Sequence, residues 1–309
     1  MTMKFLSESL SPFVKVLLSV AVLMCCFPIS VIVMSAAMLA LPKWAASTEG
    51  MVVLQAVGTI CIFGLAFSLC KNLFLTGEKG LFNVKNIKIG LWVWALILPI
   101  AAAPCIEWLM EWNNTWKLPA QEMWRELQKT NEDLTLRLLS SETLIGLAGR
   151  TFAMAIVPAV CEELFFRGVF QKLCTRWLGS AIWGIVFSSV IFSFVHFEIF
   201  AFIPRFVLSC FLGLLFAATG SIWLNVLCHF MNNFLVCMAH SALLTTGNET
   251  IWSQNNLSEW PLVVLSAATV LFFFIKEGKG LVKKRRKRIE RVKKAKRKEA
   301  LFQRHYRLR

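Results

Sequence analysis

Repeated runs of about 20 mostly apolar residues divide this chain, and they restrict its fold more than any other feature. Each is long enough to cross a bilayer as a helix that satisfies its own backbone hydrogen bonds. Composition agrees: 57% of residues are hydrophobic and the mean hydropathy is +0.63, against roughly 45–50% apolar in a soluble domain. Eight spans are expected, at residues 16–41, 51–70, 89–106, 150–174, 180–197, 202–219, 221–243 and 260–275. The fold class is therefore all-α: a polytopic membrane protein of about eight transmembrane helices. The run Val16–Leu41 is too long for a signal-peptide core and ends at no small-residue cleavage site, so it reads as the first retained span.

Charge is distributed unevenly. The net +15 comes almost wholly from residues 276–309, which hold 17 Lys and Arg against three Glu. The loop at 71–88 carries Lys71, Lys79, Lys85 and Lys88 against Glu78, whereas 107–142 holds four basic and seven acidic residues. The positive-inside rule then puts both termini and the lysine loop in the cytoplasm, and a compact chain without an organelle-targeting signal is expected in a bacterial inner membrane. The basic tail is expected to bind anionic lipid headgroups. Nucleic acid is a poor fit, because the tail offers only Phe302 and Tyr306 for base stacking. The ten cysteines form no CxxC pair and no metal-ligand spacing, so most act as small hydrophobes.

Four parts follow: residues 1–150, with the first membrane helices and an amphipathic segment at 116–139 on the outer face; a polar-bearing membrane core at 151–243; a loop and last span at 244–275; and the cytoplasmic tail 276–309. The core holds the chemistry. Glu162 and Glu163 stand in the middle of an apolar stretch, where a charge costs roughly 2.5 kcal/mol or more on insertion scales. Glu163 and Arg167 are i,i+4 and can pair, while Glu162 points about 100° away around the helix. Either Glu162 is left free for a reaction, or all three residues form one buried polar knot.

His196, in FSFVH, lies 17 residues beyond the turn near Leu178–Gly179, and Glu162 lies 16 before it. At about 1.5 Å per residue the two reach one depth on antiparallel neighbours. His229 and Asn233, again i,i+4, bring hydrogen-bond donors on a third helix, suited to a developing oxyanion or to helix–helix adhesion. Glu162 and His196 can activate a water as general base and acid. In a second arrangement Glu162, His196 and His229 ligate a divalent metal such as zinc, with water in the fourth position. Pro158 is expected to kink the helix and open a pocket beside Glu162.

Taken in order, EExxxR (Glu162, Glu163, Arg167), FxxxH (Phe192, His196) and HxxxN (His229, Asn233) resemble the CPBP intramembrane proteases, the abortive-infection or CAAX-protease-like family that includes the Ras-converting endopeptidase. The resemblance covers roughly residues 158–233. It implies an eight-helix fold with a polar cavity inside the bilayer and an endopeptidase acting on a membrane protein or peptide. It further implies that Glu162 and His196 activate the catalytic water, that His229 and Asn233 stabilise the oxyanion, and that Glu163 and Arg167 support the site. Two other functions compete. One is a non-catalytic scaffold or bacteriocin-immunity-type protein, which would tolerate loss of Glu162. The other is a proton-coupled transporter, which the lack of a convincing internal repeat disfavours.

Overall fold

A computed structural model describes residues 9–75, 81–82, 87, 89–139, 144–246, 259–273, 275–276 and 279–280. The described residues are helices joined by short turns, with no strand among them. Helix α1 spans Pro12–Ala40 and α2 spans Thr48–Phe74; α3 is Ile89–Asn114. The amphipathic α4, Gln121–Leu139, leads into the continuous helical run α5 at 144–178. Then come α6 (Ala181–Phe194), α7 (Phe202–Thr219), α8 (Ile222–Thr246) and α9 (Trp260–Phe273).

Among the described residues, five helices are long and apolar enough to cross a membrane by length and composition: α1, α2, α3, the run Ile199–Thr219 containing α7, and Ile222–Ala239 within α8. The other three expected spans also fall on helices, namely α5, α6 and α9, with α6 and α9 shorter than a full crossing. Most of the tail 276–309, the lysines of the 71–88 loop beyond Lys71, and residues 247–258 lie outside the described residues.

Local sequence sets the helix ends. Ser11 caps α1, its Oγ accepting from Val14 N at 3.3 Å, and Pro12 follows in the first turn, where its missing N–H costs nothing. Gly179 (φ 63°) ends α5, Ser180 caps α6, and Gly220 (φ 71°) turns α7 into α8. Helix α4 starts at Gln121, so Trp116 precedes it and packs edge-on to Trp112 of α3 at 5.5 Å.

The packing is that of a protein dissolved in lipid. Large apolar side chains face outward, with Ile32 67% and Leu265 65% exposed, while the largest fully buried side chain is Arg167. Two apolar clusters flank the polar centre. One joins α1, α2, α5 and α6 through Leu23, Ala66, Phe165, Phe166 and Phe192. The other joins α3, α7, α8 and α9 through Leu98, Phe211, Leu215, Cys228 and Phe273. Close approach at the α5–α6 turn depends on Gly184, where a β-carbon would meet Thr175 Oγ1 at 2.4 Å and Thr175 Cα at 2.8 Å. Helix α9 docks by a polar insertion. Ser266 donates to Ala101 O at 2.7 Å and accepts from Cys105 N at 3.2 Å, bridging the α3 ladder beside Pro104.

Pro158, expected to kink its helix, falls in the first turn of the α-helical stretch Val157–Phe165, within a helical run that continues through it. The irregularity lies on either side of that stretch, as π turns at Phe152–Ile156 and Phe166–Phe170. Such turns often mark functional sites in helices. Here they bracket the two glutamates.

Candidate active site

Helix α5 carries Glu162, Glu163, Arg167 and Gln171 into the space between the two apolar clusters, and all four are buried. Their outcomes differ sharply. Glu163 Oε2 pairs with Arg167 Nε at 3.3 Å and accepts from Asn225 Nδ2 at 3.1 Å. Its Oε1 accepts from His229 Nδ1 at 3.0 Å. Arg167 is held in turn by α7, donating Nη2 to Ser209 O at 3.0 Å and to Ser209 Oγ at 3.1 Å, with Phe192 packed 5.2 Å from the guanidinium. One turn further on, Gln171 donates to Gly213 O at 2.9 Å. This is a charge pair whose desolvation is offset by hydrogen bonds from two neighbouring helices, α7 and α8.

Glu162 has no such set of partners. Its Oε2 lies 3.8 Å from His196 Nε2 and 3.9 Å from His229 Nε2. Both distances exceed a direct hydrogen bond. The opposite face of each imidazole shows what the Nε2 atoms offer. His196 Nδ1 lies 2.7 Å from Phe192 O, which can only accept, so that nitrogen carries the proton. His229 Nδ1 faces the carboxylate of Glu163 and likewise donates. In the neutral rings, both Nε2 lone pairs therefore converge on Glu162.

The sequence-expected residues are brought together in part. Glu162, His196 and His229 meet from α5, the turn after α6, and α8. His196 is not helical: α6 ends at Phe194, two residues short of it. Asn233 lies one turn beyond His229 on α8, half-buried, and its Oδ1 accepts from Asn232 Nδ2 at 3.3 Å. Asn225 was not among the expected residues, yet it is fully buried and ties Glu163 to Leu212 O at 2.6 Å. A signal for it exists in the sequence: Asn225, His229 and Asn233 repeat every four residues on one face of α8.

For a metal, two imidazole Nε2 atoms and a carboxylate oxygen are donors of the right kind. Their separations of 3.8 and 3.9 Å, however, are wider than ligand bonds of about 2.0–2.1 Å at tetrahedral angles would give. Among the described residues no group of three His, Cys, Asp or Glu is placed to hold a metal ion.

Residues 144–235 match the family model for type II CAAX prenyl endopeptidase, Rce1-like. No curated protein and no solved structure matches the chain. The matched segment runs from the start of α5 to the residues just past Asn233, and so contains every residue of the polar centre described above.

Proposed function

We propose, from the premise that residues 144–235 belong to the Rce1-like family of CAAX endopeptidases, that this integral membrane protein hydrolyses a peptide bond with a water held by Glu162 and His196. The observation that carries the reading is the contrast between two adjacent carboxylates. Glu163 is held by Arg167, Asn225 and His229, while Glu162 faces two imidazole Nε2 atoms just beyond direct hydrogen-bond reach.

In this mechanism the water gives a proton to Glu162 and its oxygen attacks the scissile carbonyl carbon. The carbonyl electron pair moves onto oxygen. As it returns, the C–N bond breaks, and the proton passes through the Glu162–His196 pair to the departing nitrogen. One water is consumed, leaving a carboxylic acid and an amine, which become carboxylate and ammonium by exchange of the remaining water proton. His196 contributes through Nε2, because Nδ1–H is held by Phe192 O.

Oxyanion stabilisation falls to Asn233 and His229. Asn233 can donate through its amide in any protonation state, whereas His229 can donate only when Nε2 carries a proton, since Nδ1–H is committed to Glu163. Glu163 and Arg167 hold the geometry. Were a divalent metal bound, Glu162, His196 and His229 would be its ligands, and it would supply Lewis acidity.

The substrate in this reading is a membrane protein or membrane-associated peptide. The enzyme sits in a bacterial-type inner membrane with both termini cytoplasmic, and the basic tail 276–309 holds anionic headgroups. The test is a proteomic comparison of membranes carrying wild type or Glu162→Ala at matched levels. C-terminal or juxtamembrane fragments present only with wild type are expected, and they would name the substrate. Identical fragment profiles and an unchanged cellular phenotype would overturn the protease reading in favour of a scaffold.

A further inference from the structure

Glu198 takes no part in the chemistry above, yet it joins separate elements at the turn that carries His196. Its Oε2 pairs with Arg205, in the first turn of α7. Its Oε1 accepts from Asn131 Nδ2 of α4 at 3.4 Å. Arg205 Nη1 is buried with no hydrogen-bond partner, so Glu198 is the group that fixes this guanidinium.

The same stretch is gripped from α3 and α4. Buried Asn113 donates to Ile199 O at 3.2 Å and accepts from Ile203 N at 2.8 Å. Arg125 of α4 lies 3.6 Å from the Phe200 ring centroid and donates to Asn114 O at 2.6 Å. Between His196 and this gripped stretch stands Phe197 at φ 55°. That left-handed conformation is disfavoured for a residue with a β-carbon, and it persists where flanking contacts over-determine it.

We propose that Glu198 is a positioning residue for His196: clamped by Arg205 and Asn131, it holds the Phe197 turn so that His196 Nε2 stays within reach of Glu162. Through Asn131, the amphipathic α4 is coupled to the same histidine. The consequence for catalysis rests on the reading of Glu162 and His196 as the reacting pair, but the placement of His196 can be measured without it.

The experiment uses the purified full chain in detergent micelles and diethyl pyrocarbonate as the probe, which modifies neutral imidazole. Mass spectrometry follows the rate at His196, with buried His229 as the internal reference. Glu198→Gln is expected to raise the His196 rate several-fold and leave His229 slow. With the substrate identified by the proteomic comparison, the same variant should lower kcat by about ten- to a hundredfold with KM little changed. An unchanged His196 rate in folded Glu198→Gln overturns the proposal.

Should Glu198→Gln unfold and expose His229 as well, Asn131→Ala decides. A faster His196 alone supports the clamp, and an unchanged His196 overturns it. A Glu162→Gln variant that still cleaves would sink the protease reading while leaving the His196 rates as they stand.

Discussion

Two halves of one polar centre, separated by a single peptide bond, solve the problem of a buried charge in opposite ways. On the Glu163 side, Arg167, Asn225 and His229 fill the carboxylate, and Ser209 holds the arginine. On the Glu162 side two imidazole nitrogens stand at 3.8 and 3.9 Å, beyond direct hydrogen-bond reach. A filled set of partners fixes helices, and an unfilled one leaves room for a reactant. The comparison teaches that burial alone does not mark a reacting group in a membrane. What separates these two carboxylates is whether side-chain donors lie within hydrogen-bonding distance, as they do for Glu163, or beyond it, as the imidazoles do for Glu162.

The sharpest way to break this contrast is to neutralise each side separately. Glu162→Gln keeps the volume and removes the base, so proteolysis should fall by about 10²–10⁴-fold, read as loss of the wild-type fragments, with the melting profile in detergent unchanged. Next in size, Arg167→Met removes the cation and leaves Glu163 buried without its counter-charge. A loss of about 3–5 kcal/mol of stability is expected, measured by thermal or denaturant unfolding in micelles.

Asn233→Ala should come third, lowering kcat by about 10²-fold through loss of one oxyanion donor while leaving stability near wild type. Asn225→Ala sharpens the other side, since it strips one donor from Glu163 and one from Leu212 O; about 1–3 kcal/mol of destabilisation is expected from unfolding curves. Ser209→Ala should be smallest, at about 0.5–1.5 kcal/mol, because Ser209 O still accepts from Arg167.

Much of this centre was legible in the sequence because intramembrane charges are rare and helical spacing is simple. The i,i+4 relation of Glu163 to Arg167 and the matched depths of Glu162 and His196 follow from rise and periodicity alone. What the spacing could not supply were contacts to backbone. Gln171 reaches Gly213 O, Asn225 reaches Leu212 O, and Arg167 reaches Ser209 O, all set by how closely α7 approaches α5 and α8. Gly213 marks the approach of α7 to α5, since a β-carbon there would sit 3.0 Å from Gln171 Oε1.

The span at 180–197 reads as one helix because its hydropathy is continuous, but α6 stops at Phe194 and the chain turns through a left-handed Phe197. Hydropathy records burial in lipid and carries no information on a turn stabilised by Glu198, Asn131 and Arg205 from elsewhere in the chain. A proline inside an apolar run suggests an irregular helix, but hydropathy does not record the π turns that stand on either side of the stretch holding Pro158.

The most direct test of the account pairs Glu162→Gln with Glu163→Gln in the same membranes and follows two readouts, wild-type-specific proteolytic fragments and the unfolding midpoint of each purified protein. The expected result is that Glu162→Gln unfolds like wild type and produces no fragments, while Glu163→Gln unfolds at a lower midpoint. Wild-type fragments from a folded Glu162→Gln protein would contradict the account.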